Sequence, residues 1–285
     1  MAQKGNLVTM GNNCFGATKP ALRIRTSRSR AVLLGFCLAA LVAHAALAPE
    51  TMAAYQKYIA ELETRVQAQN QSQSGFLWID SDPARRSAVR NGEIATQKIK
   101  AQEVPGGMIQ HWIGGEFLPG VTLAQVEQVD QDYADYARIY APDISRPKVI
   151  SHSGDNYVVS YRITKTKVLT AVEDTVHAIQ YQPLGPARLA MQSRSQSVRQ
   201  VDDAGKPSEH ILPEGEGDGF LWAMNSYWRM QARDGGVYVE CEAVTLSRGV
   251  PMGLGLMVNP ILQSFAEDSL KKTLQAKRQA VRSEH

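Results

Sequence analysis

The chain has almost no cysteine: three in 285 residues, Cys14, Cys37 and Cys241. The first two fall in a segment read below as removable. Cys241 then stands alone, an internal disulfide is excluded, and a packed core must supply the stability. Metal-ligand patterns are missing as well. The six histidines are scattered, no His-Glu-x-x-His occurs, and Asp174 and His177 fall on opposite faces of one expected strand, so they form no local acid-base pair. Nor is there the Gly-x-Ser-x-Gly of a nucleophile elbow. Gly114-Gly115 and Gly253-Leu254-Gly255 lack the strand-to-helix setting of a phosphate loop and read as a strand bend and a helix start. The net charge is only +3. Part of it lies in the basic end Lys271, Lys272, Lys277, Arg278 and Arg282, for which a solvated helix face is the default and peripheral contact with anionic lipid the alternative. No metal, cofactor or nucleic acid is expected.

What is present starts with Arg23, Arg25, Arg28 and Arg30, which lead into the apolar run 31–46. The run is short for a bilayer span. It is followed by Ala43-His44-Ala45 and then Ala46-Leu47-Ala48, both of small-x-small form. This pattern predicts a secretory signal peptide cleaved between Ala45 and Pro49, with an uncleaved membrane anchor as the alternative. Cys37 follows Phe36 inside the run, which argues against a lipid anchor. Either Met1 or Met10 can serve as the start. The expectation is a periplasmic or secreted protein of about 240 residues, enough for one large domain.

Within the mature chain, residues 49–69 carry Met52, Tyr55, Ile59, Leu62 and Val66 at spacings of three and four behind a Pro, which predicts an amphipathic helix. Residues 67–74 read as a linker, 75–79 as a short apolar element, and 83–91 as one or two helical turns. From Glu93 the period changes to two. One strand ends before Pro105-Gly106-Gly107, and another covers 108–118 with Ile109, His111, Ile113 and Phe117 on one face. Thr122 caps a helix carrying Leu123, Val126 and Val129, and a second stretch holds Tyr133, Tyr136, Ala137 and Tyr140. Six strands follow, at 148–153, 156–165, 167–181, 187–201, 219–233 and 237–246, with turns short enough to require antiparallel pairing. Residues 205–219 read as a solvated hairpin loop. Residues 254–282 form a long amphipathic helix.

One strand, two short helices, six antiparallel strands and one long closing helix resemble the START-like helix-grip superfamily, also called SRPBCC or polyketide cyclase-like. The resemblance spans 107–282; residues 49–106 are extra to it, and 1–48 are the presequence. Stretches such as Asn225-Ser226-Tyr227-Trp228-Arg229 and Tyr238-Val239-Glu240-Cys241-Glu242-Ala243 point to an exported bacterial branch of it. The resemblance implies an α+β fold in which a curved antiparallel sheet wraps the C-terminal helix around a cavity for a lipid or other hydrophobic small molecule. It also implies a non-catalytic carrier or a cyclase- or hydrolase-like enzyme, and a blander third reading is an envelope scaffold whose cavity is filled by side chains.

The residues expected to line such a site are His111, Tyr161, Arg194, Trp222, Met224, Asn225, Arg229, Glu240 and Glu242. His111 lies among apolar neighbours and is expected to face inward, where a satisfied core histidine is the blander role. Trp222 and Met224 share a face with Ser226, Trp228 and Met230, and core is the simpler reading of that set. Glu240 and Glu242 are solvated if the aliphatic face of their strand lines the cavity. If the extra N-terminal elements cover the sheet's back, both carboxylates need partners, and Arg194 and Arg229 on neighbouring strands are the candidates.

Overall fold

Apolar residues at helical spacing make α1 (Pro49–Gln71), whose buried stripe is Thr51, Tyr55, Ile59, Leu62 and Val66. A short 3-10 turn (Trp78–Ser81) and α2 (Pro83–Arg90) follow; Asp82 caps α2 by accepting from the backbone N–H groups of Ala84 and Arg85. The computed structural model describes residues 46–166, 170–249 and 255–283, with side chains in the last stretch from Phe265 onward. The expected signal peptide up to Ala45, the start of the expected strand at Lys167, and Gly253 and Leu254 lie outside the described residues.

The strands are β1 (Ala95–Val104), β2 (Gly107–Pro119), β3 (Ile144–Ser153), β4 (Asn156–Thr166), β5 (Thr170–Pro183), β6 (Arg188–Asp202), β7 (His210–Ile211), β8 (Ala223–Arg233) and β9 (Gly236–Arg248). Between β2 and β3 stand α3 (Leu123–Gln131), opened by a Thr122–Gln125 capping box, a 3-10 turn (Tyr133–Asp135) and α4 (Tyr136–Ile139). The chain closes with α5 (Gly255–Ser283). The expected element order is observed, including the strand expected before Pro105, which is β1, and the tiny β7 falls inside the expected hairpin loop.

All pairings are antiparallel, in the order β1-β2-β9-β8-β6-β5-β4-β3, with β7 on β6. Register breaks interrupt both outer strands: β1 between Lys98 and Lys100, and β3 between Ser145 and Lys148 and again between Val149 and Ser151. A further break between β5 and β6 falls at Val176/His177.

Each sheet face has its own covering layer. On one, Trp112, Leu118, Leu189, Met191, Trp228, Met230, Val239 and Cys241 pack with residues of α3, α4 and α5, including Val126, Ile139, Leu270, Leu274 and Val281. On the other, the stripe of α1 packs on Ile109, Ala223, Tyr227, Val244 and Leu246, while Phe76, Leu77, Ile79 and Val89 pack on Phe117 and Tyr238. The strand β2 is buried on both faces, and its paired glycines leave room for one layer each. A Cβ at Gly114 would lie 3.0 Å from Leu270 Cδ2, and one at Gly115 would lie 2.6 Å from Ile79 Cδ1. Gly115→Ala is therefore expected to destabilise the protein by about 1–3 kcal/mol in urea unfolding, and trimming the opposing side chain with Ile79→Val should recover part of that loss.

Candidate functional site

Alternation along the central strands sorts the polar residues onto two faces. Cross-strand partners share a face, so His111, Val244, Asn225 and Arg194 form one row beneath α1, with Ile113, Glu242, Tyr227 and Gln192 in the next. This is the face away from α5. Here Arg229, Glu240, Glu242 and His111 are each no more than 2% exposed. The Arg229 guanidinium donates to Glu240 Oε1 at 3.4 Å and to Glu242 Oε2 at 3.1 Å. His111 Nε2 donates to Glu242 Oε1 at 2.6 Å, and Tyr58 Oη lies 2.7 Å from His111 Nδ1. Arg65 of α1 reaches the same Glu242 oxygen.

The two carboxylates feel this cluster differently. Burial raises Glu242, but His111, Arg229 and Arg65 outweigh it and hold the group at about 2. Burial dominates at Glu240, raising it despite Arg229 and the backbone N–H of Ile79, whose bond to Oε2 is 2.6 Å. Glu242 has three cationic or imidazole partners and Glu240 has one, which accounts for the difference. Glu63 of α1 extends the seam by accepting from Gln192, Arg194 and Tyr227 at 2.7, 2.7 and 2.9 Å. The cluster fastens α1 to the sheet.

The opposite face has two parts. Its lower end is filled. Lys277 Nζ, on α5, lies 2.6 Å from Asp130 Oδ1 and 3.7 Å over the Trp228 ring, and Tyr133 and Tyr181 share a 2.9 Å bond above it. Glu116 meets Arg278 at 2.7 Å, yet burial still raises its carboxyl to about 7.

The upper end is a polar wall made of Gln110, Thr245, Met224, Ser195, Ser193, His177 and Tyr161. Ser195 Oγ accepts from the Met224 N–H at 2.9 Å, and Ser226 Oγ accepts from Trp228 Nε1 at 3.1 Å. His177 is 1% exposed and stacks flat on Tyr161, with ring centroids 4.7 Å apart. Its Nδ1 lies 3.4 Å from Ser193 Oγ, whereas Nε2 has no partner, and neither does Gln110 Oε1. Burial lowers His177 to about 4, so the ring is neutral.

The residues expected to line one site are thus split between two faces. Tyr161 and Met224 lie on the α5 face. His111, Asn225, Arg229, Glu240 and Glu242 lie beneath the N-terminal elements, so the inward direction expected for His111 is toward α1, not toward α5. The solvated reading of Glu240 and Glu242 is corrected: the N-terminal layer buries them, and Arg229 is the partner. Arg194 is not; it pairs with Glu63. Trp222 does not share the face of Met224. Regular pleating begins at Ala223, and Trp222 bends away to pack with Tyr55 and Leu246. His177, Gln110 and Ser193 were missed. The alternation of β5 carries the signal for His177, because residues 177, 179 and 181 share a face. Asp174, on the other face, is held by Arg162 at 2.6 and 2.9 Å. Two shallow clefts of about 280 and 350 Å³ open at the surface, the first beside Arg194 and the second beside Arg65 and Glu242.

No family model matches the chain, and no curated protein does. Among solved structures it is similar to a STAR-related lipid transfer protein from Xanthomonas axonopodis, at 16% identity over 66% of this chain and 98% of that one, with a TM-score of 0.41. The Zhui aromatase/cyclase from Streptomyces sp. R1128 gives 13% identity over 61% and 94%, with a TM-score of 0.41, and human STARD10 gives 13% over 73% and 83%, with 0.40. Likenesses this loose bear on neither ligand nor reaction. The chain's own topology decides the fold: β2, two short helical pieces, six antiparallel strands, and α5 laid across β2, β1 and β9. The fold is a START-like helix grip. In this helix grip the N-terminal residues up to Arg90 add a third layer, which turns the back of the sheet into a buried ionic seam, and β1 extends the sheet by one edge strand.

Two outcomes follow for the grip. Arg229→Met leaves Glu240 and Glu242 buried without their shared cation and is expected to cost about 3–5 kcal/mol in denaturant unfolding; adding Glu240→Gln and Glu242→Gln should restore much of that loss. His177 binds its proton better in the unfolded chain than in the fold. Its contribution to stability is therefore absent at low pH and grows as pH rises from about 4 to 6.5. The stability difference between the wild type and His177→Phe should accordingly change by about 3 kcal/mol across that window, as read from urea unfolding at stepped pH.

Proposed function

We propose that the protein is an exported carrier that holds a hydrophobic small molecule or lipid between the upper sheet wall and the C-terminal helix. Tyr161 and Met224 line this site together with His177, Gln110 and Ser193. The observation that carries the reading is the pairing of burial with unfilled hydrogen bonding on that wall. A buried polar atom left without a partner costs about 1–3 kcal/mol, a cost that a bound molecule reaching such an atom on this wall would remove. The lower end of the same face is closed by packed side chains, so any occupant sits above it.

Binding is favoured over catalysis because His177 has no carboxylate to orient it. The groups that do form a relay, Tyr58, His111 and Glu242, are on the other face and are closed over by Arg65 and Arg229. The candidates for a cyclase- or hydrolase-like reaction, His111, Tyr161, Arg194 and Glu240, do not converge on one point.

Export is part of the proposal, with the periplasm or the exterior as its destination. Leu47 supports cleavage after Ala45 in preference to Ala48: its N–H donates to Gly215 O at 2.7 Å, and its side chain packs against the α1 cluster. Among the described residues no helix is long and apolar enough to cross a membrane.

Native mass spectrometry of protein recovered from its export compartment tests both parts at once. The expected result is a polypeptide beginning at Ala46 with one apolar molecule bound, released and identified after solvent extraction. A protein that arrives empty and takes up nothing from a lipid and quinone panel would overturn the carrier reading, and retention of residues 23–45 would overturn cleavage.

A further inference from the structure

We propose that the ligand is an uncharged apolar molecule carrying a hydroxyl group, and that His177 Nε2 is the atom that recognises the hydroxyl. This rests on the carrier reading and specifies what is carried.

The wall's own hydrogen bonds narrow the choice. The Ser195 and Ser226 hydroxyls are engaged with the Met224 N–H and Trp228 Nε1, and the Thr175 hydroxyl donates to Tyr161 O at 2.9 Å. His177 Nε2 is left, buried and without a partner. Tyr161, stacked 10° from parallel on the imidazole, fixes the ring plane and hence the direction in which Nε2 points. The other unpartnered atom on this wall, Gln110 Oε1, belongs to the far strand of the row Gln110, Thr245, Met224, Ser195, His177. That places it four strand spacings away along the row, about 19 Å of sheet.

The chemistry of the group follows from the ring. A neutral imidazole donates from one nitrogen and accepts at the other. If Nδ1 donates to Ser193, then Nε2 accepts, and only a ligand donor satisfies it. If Ser193 donates to Nδ1, then Nε2 donates, and only a ligand acceptor will do. A hydroxyl serves both cases; a carbonyl or ether serves one. Ionic groups are disfavoured for a separate reason. Burial alone acts on His177, with no charged neighbour beside it, and Lys277, Arg278 and Lys165 hold the carboxylates of Asp130, Glu116 and Asp143, so a carboxylate or phosphate brought to His177 would be desolvated without a counter-charge.

The test uses the mature protein and three probes of equal chain length, 1-dodecanol, dodecanoate and dodecyl methyl ether, each competing with the neutral fluorophore N-phenyl-1-naphthylamine. Dodecanol is expected to displace the fluorophore at least tenfold more effectively than dodecanoate at pH 7.5. His177→Phe should lower the affinity for dodecanol relative to that for the fluorophore about tenfold, and His177→Gln should retain part of the alcohol's affinity. Two results would overturn the proposal while leaving a carrier in place: fluorophore binding with dodecanoate as strong as dodecanol, or dodecanol affinity indifferent to a folded His177→Phe. Failure to bind the fluorophore and all three probes would overturn the carrier reading and this inference with it. The wild-type comparison of alcohol with carboxylate needs no variant, so it decides the matter even if His177→Phe does not fold.

Discussion

A single buried cation organises this protein. Arg229 lies between two carboxylates on the adjacent strand, in a position where none of the three can reach water. Charges taken from water are tolerated only when their partners are held in good geometry. Here the geometry comes from antiparallel register, which sets Arg229 opposite Glu240 and within reach of Glu242. Covering the pair then demands more partners, and these come from His111 on β2, Arg65 on α1 and the backbone of the 3-10 turn at Ile79. Three separately encoded segments are committed to one electrostatic arrangement. The amphipathic stripe of α1 supplies apolar area, but the ionic seam dictates where along the sheet that helix lies.

The two faces of the sheet differ in kind. The seam face has its charges matched, with Glu242 strongly ionised. On the opposite face, burial works against ionisation: it raises Glu116 to about 7 and lowers His177 to about 4. A neutral imidazole and a carboxyl pushed up by burial leave that side with little permanent charge beyond pairs such as Lys277–Asp130. Apolar contacts therefore dominate there, and single hydrogen bonds gain discriminating power because no strong field competes with them.

Much of the architecture was legible from local rules. Spacings of three and four marked α1, the Thr122 cap marked α3, and turn residues separated the strands well enough for the helix-grip order to emerge. Face assignment was not legible to the same degree. On β9, Glu240 and Glu242 alternate with Val239 and Cys241 just as solvated residues alternate with core ones. The sequence pattern cannot tell a carboxylate facing water from one facing Arg229 under a third layer. Trp222 failed for a different reason, since alternation was extended one residue past the start of the pleat. Which β6 residues stand beside His177 was hidden by the register break at Val176/His177. Beyond that break Ser197 pairs with Val176 while Ser195 pairs with His177, so simple counting along β6 loses the wall.

The breaks in the two outer strands affect how these molecules behave in company. An open sheet ends in rows of unpaired N–H and C=O groups that can template another strand. The β3 edge also exposes Val149 and Ile150, at 42% and 52%, the composition most prone to such growth. Yet β3 carries two register breaks, a Pro at 147 without an N–H, and Arg146 at φ 54°, while β1 is broken between Lys98 and Lys100. Bulged, kinked edges present their hydrogen-bonding groups out of line. The same irregularities that look like faults in the ladder keep neighbouring copies from zipping into a shared sheet, so the exposed aliphatic pair at the rim does not become a seed for fibres.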